Sequence, residues 1–140
     1  MPALGFKQEF GPAVENGLAL RRGDRRWPHP GVMPKVQTIR ANRKDGRDPK
    51  PGQPLYLFTG MRTKRSRRLG EAECVSVGPL WINGSVLHVL DHWMFRLGAW
   101  DRRTRAHRFA EADGFRNAEA MWEFFERVHG LPFEGYLIRW

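Results

Sequence analysis

Cysteine is almost missing from this sequence: Cys74 stands alone among 140 residues, so no internal disulfide can form. A cytoplasmic setting is the expectation. No apolar run approaches the roughly 20 residues that a membrane helix needs. The stretch "MPALGFKQEF" lacks the apolar core of a secretory signal, and no membrane partner is expected. No glycine-rich phosphate motif is present either, because "GMRTKRSRRLG" has no Gly-Lys-Ser/Thr. Acids are scarce in one region above all. From Arg21 to Arg68, fifteen Lys or Arg face only Asp24, Asp45 and Asp48, a balance of +12 within a chain of net charge +9. The end, Glu111 to Trp140, carries six acids against three arginines and is −3. A basic region on a small chain favours a polyanion, most often RNA or a nucleotide, or else it is a solvated face.

What is present is enough to fold. Hydrophobic residues make up 41% and six are tryptophan, which argues against disorder along the whole chain. A single domain over 1–140 is expected from the length. Phe6, Phe10, Val14 and Leu18 recur every four residues and predict a short amphipathic helix, with Pro12 in its first turn and Gly17 at its end. Residues 18–34, "LALRRGDRRWPHPGVMP", predict an inserted basic loop rich in proline and glycine. Val36–Arg40 and "PLYLFTG" read as strands, separated by the turn-rich "KDGRDPKPGQP". "LGEAECVSVGPLWI" reads as one further strand, with Glu71, Glu73, Val75 and Val77 on a common face. Leu87–Phe95 fits either a helical turn or a strand. Asn117 is a fitting N-cap for a helix with Ala118, Met121, Trp122, Phe125 and Val128 on one stripe, ended by Gly130. "GYLIRW" alternates and predicts a strand paired within a sheet. Together these give an α+β fold around a small, mostly antiparallel β-barrel or curled sheet with flanking helices.

Several groups could carry chemistry. His88, Asp91 and His92 would share a face of a helix, but they lack a second ligand cluster, so neither a metal nor another cofactor is expected. Cys74, in an apolar strand, reads as a buried inert thiol. Arg62, Lys64, Arg65, Arg67 and Arg68 sit in one basic loop that suits phosphate or plain solvent. Trp27, among arginines, is a packing anchor or a surface for stacking a base.

The stretch "PKVQTIRANRKDGRDP" holds Lys35, Thr38, Arg40 and Arg43. A hydroxyl attacks well only when a base takes its proton. Lysine is such a base when burial and adjacent positive charge, here Arg40 and Arg43, lower its pKa. A carboxyl on a core-facing strand, such as Glu73, can hold its proton and give it to a leaving amine. Base, nucleophile and acid for amide hydrolysis are therefore present by type, although Lys, Thr and Glu are common residues.

"KVQTIRANRK", "PGQPLYLFTGMRTKRSRRLGEAECVSV" and "DGFRNAEAMWEFFERVHGLPFEGYLIRW" together resemble the ASCH domain family, in the manner of its small phage and bacterial members. The resemblance covers roughly Phe6 to Val14 and Lys35 to Trp140, and it implies a PUA-like barrel. The family motif is G-x-K-x-x-E-x-R. Lys35 and Arg40 match it, and Thr38 occupies the glutamate place. Relatives that hydrolyse acetylcytidine carry K-x-x-T-x-R, with a lysine base, a threonine nucleophile and a glutamate acid on a later strand. By resemblance these roles fall on Lys35, Thr38 and Glu73, with Glu71 as the near alternative. The motif glycine is displaced: Met33 stands in its place, and Gly17 is the glycine that follows the first helix. The resemblance thus implies an RNA- or nucleotide-binding domain, with amidohydrolase action on an acetylated cytidine nucleoside, or ribonuclease action, as alternatives at the same pocket.

Overall fold

The structure is a computed structural model that describes residues 2–41, 48–83, 86–89, 93–96 and 105–140. The fold is α+β. Strand β1 (Ala3–Phe6) leads through a 3-10 turn into helix α1 (Gly11–Arg22). Strands β2 (Gln37–Ala41), β3 (Pro54–Thr59), β4 (Arg67–Glu73) and β5 (Ser76–Asn83) follow. After β6 (Val86–Val89) and β7 (Trp93–Arg96) come helices α2 (Arg105–Ala112) and α3 (Ala118–Val128), and then strand β8 (Phe133–Arg139). One sheet has the order β1-β3-β4 and the other β2-β8-β5-β6-β7. All pairings are antiparallel except β1 with β3, which is parallel. Among the described residues, no helix is long and apolar enough to cross a membrane.

The terminal strand is central. β8 alternates, so Leu137 faces one core while Ile138 and Trp140 face the other. The first core packs the five-stranded sheet on α2 and α3 through Leu80, Ile82, Phe109, Met121 and Phe125. The second packs α1 and the three-stranded sheet through Leu4, Val14, Leu55, Leu57 and Trp140. α3 is capped as its sequence predicts: Asn117 accepts a hydrogen bond from the Ala120 N–H at 2.8 Å.

Three local expectations change. Phe6 belongs to β1, so the four-residue recurrence mixes a strand with a helix. α1 runs through Gly17 to Arg22 and ends at Gly23, whose φ of 79° supplies the left-handed cap. The irregular segment after it is therefore shorter than 18–34, and it is tied down: Asn16 donates to the His29 and Val32 carbonyls at 2.7 and 2.8 Å and accepts from the His29 N–H at 3.0 Å. Finally, "LGEAECVSVGPLWI" is two strands in two sheets. At their junction the Cys74 N–H donates to Gln53, while the next N–H, Val75, donates to Arg139 of β8. The chain changes pairing partner there and turns the corner between sheets. Cys74 is buried at that corner.

Candidate functional site

The two sheets leave β1 and β2 as facing edge strands, and a cavity of about 170 Å³ opens beside them. Lys35, Thr38, Arg40, Phe10, Asp113 and His129 are among its lining residues. Lys35 lies just before β2, and its backbone is held on both sides. Its N–H donates to the Ala13 carbonyl of α1 at 2.8 Å, and the neighbouring Val36 N–H donates to Ala112 at the end of α2 at 2.8 Å. Gly17 is the reason this approach is possible: a Cβ there would stand 1.8 Å from the Lys35 carbonyl oxygen. The glycine that sequence reading puts at a helix end is instead the mid-helix contact against which Lys35 rests.

The Lys35 side chain is buried and points to the C-terminal end of α2. Its ammonium donates to the Asp113 carbonyl oxygen and stands 3.4 Å from Asp113 Oδ2. A cation at this end satisfies an orphan carbonyl and meets the negative pole of the helix. Gly114, at φ 90°, lets the chain turn away without a Cβ that would crowd the lysine stem at 3.1 Å. Burial lowers the Lys35 pKa, and Arg40 lowers it further, while Asp113 opposes both. Burial likewise raises the Asp113 carboxyl, to about 6, against the opposing pull of Lys35, Arg40 and Gln37. Gln37 Nε2 donates to the Phe109 carbonyl at 3.3 Å; it is near enough to favour the Asp113 carboxylate, but no hydrogen bond of ordinary geometry reaches Asp113 Oδ1. That oxygen is buried with no hydrogen-bond partner among the described residues. An unmet buried acceptor is costly, and it marks where a ligand's donor would be rewarded.

Thr38 is buried on the β2 wall, and its Oγ1 accepts from Arg40 Nε at 3.1 Å. Arg40 Nη2 donates to the Gly5 carbonyl at 2.6 Å, so a side chain bridges the two edge strands. Its guanidinium also lies 4.8 Å from the Phe6 ring centre. The opposite wall is aromatic. Phe10 meets Phe115 and Phe124 edge-on at 5.6 and 5.9 Å, and Lys35 Nζ lies 5.1 Å from the Phe10 ring centre. At the rim, His129 stacks on Phe125 at 5.4 Å, and burial with Lys7 nearby lowers its pKa.

Glu73 does not join this site. β4 presents Glu71 and Glu73 on its exposed face, and they border a separate shallow pocket with Gly52 and Pro54. The acid role that the resemblance assigns to Glu73 is corrected accordingly: the cavity lies between β1, β2, the 3-10 turn ahead of α1, the link from α2 to α3, and α3. The carboxyl beside Lys35 is Asp113, 78 positions away in sequence. Its only local signal is that it precedes Gly114 at the end of a helix, so sequence reading missed it, along with His129 and the aromatic wall. Trp27 is at the surface and lines no part of the cavity. Arg43 falls outside the described residues, as do Asp91 and His92; His88 is in strand β6. Among the described residues, no group of three or more metal-ligating side chains is placed to hold an ion.

The basic loop forms the β3–β4 turn. Arg67 is paired with Glu15 at 3.0 Å and Arg68 with Glu71 at 3.1 Å. Arg62, Lys64 and Arg65 are exposed.

No family model matches this chain, and no curated protein or solved structure matches it. The reading of the site therefore rests on its own geometry.

Proposed function

We propose that this protein is an RNA- or nucleotide-binding domain of the ASCH type, with a PUA-like barrel, whose cavity seats a single base. One observation carries the reading: an aromatic-walled cavity of about 170 Å³ ends on the buried Lys35–Asp113 pair, with Asp113 Oδ1 unpartnered. A cavity of about 150 Å³ is enough for benzene, so the room fits one six-membered ring. Phe10, Phe115 and Phe124 offer the apolar wall, Asp113 Oδ1 would accept from a ring or exocyclic N–H, and Thr38 would meet a ring carbonyl. The corner at Cys74–Val75 and the Arg40 bridge to Gly5 support the barrel, since they join the two sheets at opposite places.

The test is calorimetric titration with uridine, cytidine, adenosine and guanosine. Pyrimidine nucleosides are expected to bind more tightly than purines, and Asp113→Asn is expected to weaken them at least tenfold. Equal, weak heats for all four nucleosides would sink the reading.

A second reading is deacylation of an acylated cytidine, and it is favoured by the chemistry of the same three groups. Burial lowers Lys35 toward the free amine and raises Asp113 to about 6, and Thr38 Oγ1 already accepts from the cationic Arg40. Thr38 would attack the acyl carbon and give its proton to Lys35. Asp113, in place of Glu73, would protonate the departing amine, and water would then release the acid from Thr38. This reading stands second because Lys35 Nζ is bonded to Asp113, and among the described residues no hydrogen bond joins it to Thr38. Release of acetate from acetylcytidine, lost in Thr38→Val, is the measurement that decides it.

A further inference from the structure

The basic turn between β3 and β4 contains two kinds of cation. Arg67 and Arg68 are spoken for by Glu15 and Glu71, and Arg68 also lies 5.0 Å from the Tyr56 ring centre. Arg62, Lys64 and Arg65 stand exposed without a side-chain partner among the described residues, on a turn that is itself stiff. Thr63 Oγ1 donates to the Gly60 carbonyl at 2.6 Å and accepts from the Arg65 N–H at 3.1 Å. Gly60 has φ 62°, and a Cβ there would lie 2.7 Å from the Arg65 carbonyl oxygen, so the turn is closed tightly on itself. Because the backbone of the turn is already ordered, holding an anion costs the freedom of the three side chains and little beyond it.

Arg62 adds a second argument. It has φ 69°, the left-handed region that a residue with a Cβ seldom occupies. Glycine would hold this shape at lower cost, and the chain keeps a cation there instead. Strain of this kind gathers where a side chain has work to do.

The turn also adjoins the cavity. Met61, next to Arg62, packs on Gly5, where an added Cβ would meet Met61 Cε at 3.1 Å. Gly5 lines the cavity and holds Arg40 through its carbonyl. The turn therefore stands one residue behind the cavity wall at Gly5, and a nucleoside whose sugar leaves on that side would carry its phosphate toward it.

We propose that the Arg62–Lys64–Arg65 turn is the phosphate-binding arm of the cavity, taking the phosphate attached to the nucleoside whose base the cavity seats. This rests on the base-pocket reading. The phosphate belongs either to a mononucleotide or to a single-stranded RNA, and the chemistry of the arm is the same for both.

The experiment measures Kd for cytidine and uridine, for their 5′- and 3′-monophosphates, and for a short single-stranded oligopyrimidine RNA, at several salt concentrations. The proteins are wild type, the triple variant Arg62→Gln/Lys64→Gln/Arg65→Gln, and Arg62→Gly. In the wild type, a phosphate-bearing ligand is expected to bind at least tenfold more tightly than the nucleoside. Log affinity for the RNA should fall with log salt by about 0.7 per phosphate contacted. The triple variant is expected to lose the tenfold gain and most of the salt slope and to keep the nucleoside Kd. Arg62→Gly is expected to lose part of the gain while its melting temperature holds or rises, which a purely structural role for Arg62 would not produce. A gain with the monophosphates identifies a mononucleotide as the source; a gain confined to the RNA identifies a strand.

The outcomes separate the two claims. A triple variant that keeps the phosphate gain, or that loses nucleoside and nucleotide binding in equal measure, overturns the arm and leaves the base pocket standing. RNA binding that depends on the turn while neither nucleoside binds, or no binding of any probe, overturns the base pocket and with it the arm as part of the cavity.

Discussion

Lys35 and Lys64 are the same side chain in opposite circumstances. Lys35 is buried, faces Asp113 at 3.4 Å and caps the end of α2. Lys64 is exposed on the β3–β4 turn. Both sit in the same stretch of excess positive charge, so the local charge density says nothing about which is which. The difference teaches that the described cations of this stretch are two populations. One is committed inside the fold, where its worth depends on a single partner. The other faces water, where its field is screened and available to an anion.

Removing one cation from each population should break the symmetry most sharply. Lys35→Met leaves Asp113 buried without its cation, and this is expected to cost about 3–5 kcal/mol. Lys64→Met is expected to fall within about 0.5 kcal/mol of wild type. Urea denaturation measures both. The double variant Lys35→Met/Asp113→Leu should recover most of the lost stability, because it removes both charges from the interior. A Lys35→Met protein as stable as the Lys64→Met protein would mean that the pair is not buried as described.

The next largest effect is on pH dependence. Burial raises Asp113 from 3.8 to about 6. Between these values the folded state holds a proton that the unfolded state has released. Stability from this group therefore falls as pH rises from 4 to 6 and levels off above, by up to about 3 kcal/mol for a shift of this size. The comparison that isolates this group is wild type against Asp113→Asn. The difference in unfolding free energy between the two should move against wild type across that interval. A flat difference from pH 4 to 7 would contradict the raised carboxyl.

Smaller again is the loss of an uncharged tie. Asn16 is buried and makes three hydrogen bonds to the backbone at His29 and Val32. Asn16→Ala is expected to cost about 2 kcal/mol, since it leaves partly buried backbone groups at His29 and Val32 unmet. Hydrogen exchange should speed up in the segment after Gly23 and stay unchanged in β8.

These expectations also mark what the sequence made legible. β3, β8 and α3 could be read because their patterns are local: alternation in "PLYLFTG" and "GYLIRW", and a capped stripe after Asn117. The break at Cys74–Val75 could not be read. Alternation continues through it, and only the pairing partner changes, from Gln53 to Arg139. Phe6 was misleading because its spacing from Phe10 fits a helix, whereas its pairing partner, Thr59, is distant in sequence. At the cavity, Lys35, Thr38 and Arg40 meet because one short segment carries all three. The carboxyl that faces them comes from the end of α2, and no spacing rule connects it to Lys35. Glu73 looked suitable by residue type, and its strand turns it to solvent.

The smallest expected effect sharpens the comparison at its exposed end. Arg67 and Arg68 are paired where, among the described residues, Arg62, Lys64 and Arg65 are not, but their pairs stand at the surface. Double-mutant cycles between Arg67 and Glu15, and between Arg68 and Glu71, should each give a coupling below about 1 kcal/mol that shrinks as salt is raised. Arg68 is the more instructive of the two, because it also covers the Tyr56 ring at 5.0 Å. Arg68→Lys keeps the charge for Glu71 and gives up the flat guanidinium over the ring, so any loss beyond Arg68→Lys in Arg68→Ala belongs to charge and stem packing. If Arg67→Ala or Arg68→Ala alone cost the roughly 3–5 kcal/mol expected for Lys35→Met, burial would not be what separates the two populations of cations.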